Sequence, residues 1–96
     1  MSDRTPFAIT HRGRVHSVNS IDELKRFVET VDFWSPALFV QVLYARVIAF
    51  DYPMSWQRAA DVAGVMPSRI SKWLSSQDLP HDRELQELGR RLSRAV

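Results

Sequence analysis

Apolar residues recur along the chain with changing period, and the changes mark its elements. In "FAITHRGRVHSV" (7–18), Phe7 and Ile9 fall at alternate positions, Val15 and Val18 sit in a returning arm, and Gly13 supplies a turn. This pattern predicts a β-hairpin. A lone hairpin is marginal in water, so it must pack on something. From Ser20 the period becomes helical, with Ile21, Leu24, Phe27, Val28 and Val31 on one side. Ser20 and Glu23 have the S-x-x-E spacing of a capping box, in which side chains satisfy backbone N–H groups left open at a helix start.

"DFWS" interrupts this helix. Ser35 is placed to cap the next, with Pro36 at its first position, where a missing N–H costs nothing. The stretch "PALFVQVLYARVIAF" (36–50) is apolar almost all round, broken only by Gln41 and Arg46. At about 100° per residue those two point roughly 140° apart. A helix of this kind is buried on more than one side. It reads as a central strut, with C-terminal helices on one face and the N-terminal unit or a partner subunit on the other. "DYPM" ends it.

Ser55 caps a third helix over 56–63, and Gly64 ends it at a position that tolerates positive φ. A fourth opens at Pro67 and runs to about Ser75, and "SSQDLPHD" is a loop. A fifth spans about 82–95 with Leu85, Leu88 and Leu92 inward. The expected fold is mainly α: a single five-helix domain over 1–96, carrying a C-terminal helix-turn-helix and a small N-terminal β-hairpin. Residues 1–35 form a possible dimerisation or partner-binding unit, and 36–96 the core.

Composition trims the functional classes. The chain has 96 residues, is 45% hydrophobic, and contains no cysteine, which excludes disulfides and thiolate chemistry. "MSDRTPF" lacks the basic-then-apolar pattern of a secretion signal, and no apolar run reaches membrane-spanning length, so a cytoplasmic protein is expected. The net charge of +2 is compatible with nucleic acid. The excess lies in residues 36–96, where eight basic residues face six acidic ones. His11, His16 and His81 offer no convincing metal set, because no acid or cysteine is well placed to join the first two. Neither a G-x-S-x-G elbow nor a Gly-rich phosphate loop occurs, so no enzyme chemistry and no cofactor are expected. Phe33, Trp34, Phe39 and Tyr44 read as core, with a surface-anchor role as the alternative for Trp34.

The fourth helix carries the most information. Ile70, Trp73 and Leu74 share its inward side, while Ser68, Ser71, Lys72 and Ser75 lie opposite, with Arg69 and Ser76 on the flank. Short hydroxyl side chains let a helix backbone enter a groove about 12 Å wide. Their hydroxyls can bond bases or phosphates, and Lys72 can reach either. The alternative is a merely solvated surface.

"AADVAGVMPSRISKWLSSQDLP…ELQELGRRL" resembles the helix-turn-helix of Cro/CI-type (XRE-like) repressors. The features that match are Ala60, Gly64 and Val65, then Ile70, Ser71 and Trp73, then Pro80 and the leucines of the closing helix, over about 55–93. The family's usual opening glutamine is Trp56 here, with Gln57 next, and its usual acid and glycine after the tryptophan are replaced by Leu74 to Gln77. The resemblance implies that helix 67–75 enters the major groove of double-stranded DNA and that helix 56–63 sets its N-terminus at a phosphate. Gln57 and Arg58 would then join Pro67, Ser68, Arg69, Ser71, Lys72, Ser75, Ser76 and Gln77 as DNA-contacting residues. It also implies homodimers on near-palindromic sites and the role of a repressor. The competing expectation is a protein-binding module: an antitoxin whose N-terminal part holds a toxin, or an inhibitor that uses the helix-turn-helix fold without binding DNA. Arg90, Arg91 and Arg94 either edge the DNA or complement the last helix's dipole.

Overall fold

The hairpin closes through two residues with positive φ, Arg12 at 52° and Gly13 at 74°. A two-residue loop of this kind matches the right-handed twist of the strands it joins. The computed structural model describes residues 7–50 and 53–96; the leader reading of the first residues and part of the "DYPM" break lie outside them. Strands β1 (Phe7–His11) and β2 (Arg14–Val18) are antiparallel, with Phe7 opposite Val18, Ile9 opposite His16 and His11 opposite Arg14. Ile9 and Val18 are buried. Val15 pairs with Thr10 and is 67% exposed. Val15 and Val18 are three residues apart, so a strand must place them on opposite faces.

Helix α1 (Ile21–Glu29) is capped by Ser20, whose hydroxyl accepts from the Glu23 N–H at 3.2 Å. The Glu23 carboxylate reaches back one residue beyond the cap, accepting from the Asn19 N–H at 2.9 Å. Leu24 and Val28 are buried, and Phe27 packs between the rings of His11 and His16.

Helix α2 (Pro36–Tyr44) is capped by Ser35 and continues directly into a π-helical turn, Ala45–Ala49. One regular helix over 36–50 was the expectation, and the π turn corrects it. An almost uniformly apolar run has no polar stripe to fix its phase, so the sequence cannot signal a shift from i→i+4 to i→i+5 bonding. The strut role holds. On one side Gln41 exchanges two hydrogen bonds with the Thr10 backbone, at 2.8 and 3.0 Å, and Tyr44 stacks on Phe7 at 5.7 Å. Roughly 160° around the helix, Phe39 meets Trp73 edge-on at 5.3 Å.

Trp34 and Phe39 are core, as expected, which leaves Trp34 no role as a surface anchor. Phe33 is 61% exposed and Tyr44 also faces outward, so the core reading fails for both. Only one of two adjacent loop aromatics can turn inward, and Trp34 takes that place. The Gln86 side chain accepts from the Trp34 N–H at 2.7 Å and donates to its carbonyl at 2.6 Å. A Cβ on Gly89 would collide with the Trp34 indole, so the missing side chain is what lets that ring lie against the C-terminal helix.

The remaining helices are α3 (Trp56–Ala63), α4 (Pro67–Leu74) and α5 (Asp82–Ala95), close to their expected limits. Leu85, Leu88 and Leu92 of α5 close the core. No helix among the described residues is long and apolar enough to cross a membrane.

Candidate nucleic-acid interface

A short turn between α3 and α4 sets the angle of the candidate surface. Gly64, at φ 70°, is left-handed; its N–H donates to Asp61 and the Val65 N–H donates to Ala60, both carbonyl acceptors. This pair of bonds is a Schellman stop, which consumes carbonyls a helix end would otherwise leave open. The Arg91 guanidinium of α5 donates to the Ala63 carbonyl at 2.8 Å, adding a brace from behind. Small buried residues, Ala59, Ala60 and Ala63, let the neighbouring helices approach.

Pro67 opens α4 at its first position, where the N–H would have no intrahelical acceptor, and the preceding Met66 provides no side-chain cap. Ile70 and Trp73 are completely buried and fasten the helix to α2 and α3. The Trp73 indole N–H donates to the Asp78 carbonyl at 3.2 Å, tying the following loop to the same anchor.

The opposite side of α4 is open. Pro67, Ser68, Ser71, Lys72 and Ser75 are exposed, as are Ser76 and Gln77 beyond the helix. Gln57 and Arg58 are exposed in the first turn of α3, whose cap, the Ser55 hydroxyl, accepts from the Arg58 N–H at 3.1 Å. Met66, which the sequence did not single out, is 70% exposed between the two groups.

The chain leaves α4 through a second Schellman stop. Ser76 sits at φ 59°; its N–H donates to the Trp73 carbonyl and the Gln77 N–H donates to that of Lys72 at 2.7 Å. Ser76 therefore occupies a left-handed position that glycine takes at least cost.

Both cations of α4 already have carboxylate partners. The Arg69 guanidinium bonds Glu84 of α5 at 2.9 Å and lies over the Trp73 ring at 4.8 Å. This draws Arg69 to the α4–α5 seam, on the flank of the helix, with its side chain still 40% exposed. The Lys72 ammonium lies 3.4 Å from the Asp78 carboxylate. Neither partner was found from the sequence. Glu84 is fifteen residues from Arg69, and Asp78 reaches Lys72 only because the chain reverses at Ser76. Arg90 and Arg91 pair with Glu87 within α5.

At the far side of α2, His11, Arg12, Arg14, His16 and Thr30 line a cleft of about 420 Å³ beside the hairpin tip. No group of three or more metal-ligating side chains forms among the described residues. No family model, no curated protein and no solved structure matches the chain.

Proposed function

We propose that the protein is a sequence-specific DNA-binding transcriptional repressor of helix-turn-helix type. The observation that carries this reading is the open hydroxyl-and-ammonium side of α4 on a helix whose other side is fastened by Ile70 and Trp73. A helix with short side chains is about 10 Å across, which lets it enter a major groove about 12 Å wide. Ser68, Ser71 and Ser75 present hydroxyls short enough for base edges or phosphates, and Gln57 and Arg58 of α3 flank them for backbone contacts. The Cro/CI-type resemblance adds the order of parts: Ala60 and Gly64 at the first helix and turn, Ile70 and Trp73 at the second.

As a homodimer, two copies of α4 would meet successive major grooves about 34 Å apart. Tyr44 at the end of α2 and Ile48 in the π turn, both exposed, give this dimer an apolar surface to use. Occupancy of a promoter would then exclude polymerase without any bond-breaking step.

The test is a gel shift on the DNA upstream of the protein's own gene at several salt concentrations. Affinity should fall steeply with salt, as phosphate contacts require, and Ser68→Ala with Lys72→Ala should abolish the specific complex. A specific complex that survives the double substitution would remove α4 from the interface. No complex at low salt would remove the function, and the protein-binding reading would stand in its place.

A further inference from the structure

We infer that Asp78 and Glu84 are specificity-determining residues of the α4 face, an inference that rests on the DNA-binding reading above. A recognition surface meets vastly more wrong sequence than right, and unpaired cations attract all of it alike through phosphate. The two cations of α4 are instead each held by a carboxylate from the chain that follows, Lys72 by Asp78 at 3.4 Å and Arg69 by Glu84 at 2.9 Å. The face that remains is close to neutral and rich in hydroxyls. Phosphate alone gains little there, because it must displace Asp78 from Lys72 and tolerate the carboxylate beside it. A duplex that also satisfies Ser68, Ser71 and Ser75 makes up the difference, so the carboxylates widen the gap between right and wrong sequences.

The fold gives Asp78 its position by a route independent of its charge. Its backbone carbonyl accepts from the Trp73 indole, and its φ of 47° is one that asparagine also adopts readily. Asp78→Asn therefore removes the charge and keeps the loop. Glu84 differs in that its partner Arg69 is also stacked on Trp73, so Glu84→Gln frees a less mobile cation and should have the smaller effect.

The experiment measures binding of the full chain to a random duplex and to its upstream DNA by fluorescence anisotropy across a salt series. Asp78→Asn should tighten random-duplex binding by about two- to fivefold, the range of an exposed ion pair, and narrow the ratio between the two DNAs. Its salt slope should steepen by up to about one unit, one added phosphate contact. Repeating the substitution in a Lys72→Gln background separates pairing from bulk charge: Asp78→Asn should there change random binding less than twofold. Glu29→Gln, which makes the same change in net charge on α1, should do nothing. An equal gain from Asp78→Asn in both backgrounds, or no gain in either, would overturn the inference while leaving DNA binding intact. Absence of any duplex binding by the wild type and by Asp78→Asn would overturn both readings together, whereas binding by Asp78→Asn alone would support the masking role directly.

Discussion

The two ends of α4 stop the chain with the same pair of hydrogen bonds but with different residues. Before the helix, the Schellman turn after α3 uses Gly64 at φ 70°; after it, the turn uses Ser76 at φ 59°. A left-handed residue with a Cβ costs about 1–2 kcal/mol that glycine avoids. The opening turn is thus relaxed and braced by Arg91, whereas the closing turn is strained and held from the side by the Trp73 indole bond to Asp78. The comparison teaches that backbone strain can persist where a neighbouring anchor over-determines the conformation. It also locates the strain beside Lys72 and Asp78, at the edge of the proposed DNA surface.

The most damaging way to break the comparison is to remove the anchor of the closing turn. Trp73→Ala should cost about 3–5 kcal/mol, because it empties a fully buried site and releases Asp78 as well. Chemical denaturation would measure the loss. A cost below about 1 kcal/mol would mean that the closing turn does not depend on the indole. The next test exchanges the two turn residues. Gly64→Ala should destabilise by about 1–2 kcal/mol, while Ser76→Gly should stabilise by about 0.5–1 kcal/mol after glycine's entropic cost is subtracted. Effects of the same sign would show that the turns are not equivalent in backbone energy.

The smallest effect lies at another left-handed site, Arg12 in the hairpin turn, which is held by an exposed ion pair to Asp32 at 2.6 Å. The hydrogen bond and charge of Arg12 lower the Asp32 pKa. A carboxyl with a lowered folded-state pKa contributes stability above its unfolded pKa and loses it as pH falls through the lower folded value. A proton titration of Asp32 followed by NMR should therefore show it ionised below the ordinary aspartate range, and Arg12→Gln should return it toward that range. An unchanged titration would exclude Arg12 as the cause.

Legibility in the sequence followed how local each signal was. The capping serines 20, 35 and 55, the glycine turns and the α3–α4 pair are fixed by residues within a few positions of one another, and all were readable. The inward side of α4 was readable for the same reason, since Ile70 and Trp73 recur at helical spacing. The π turn was not, because its apolar run has no phase marker. Phe33 and Trp34 were indistinguishable as neighbours until Gly89, more than fifty residues on, made room for one indole. The partners of Arg69 and Lys72 were hidden likewise: one comes from another helix and the other through a reversal at a serine, where only glycine is a conventional signal. The exposed serines of α4 were legible as a surface, but their use was not, because a hydroxyl face carries no mark of what it touches.

The π turn that closes α2 bears on how this chain can change length. Ala45–Ala49 holds an extra residue in its loop of hydrogen bonds compared with ordinary helical winding. Deleting one position there lets the stretch rewind as α-helix while Pro36–Tyr44 stays as it is. A one-residue deletion within Ala45–Ala49 is therefore expected to cost less stability than one within Pro36–Tyr44.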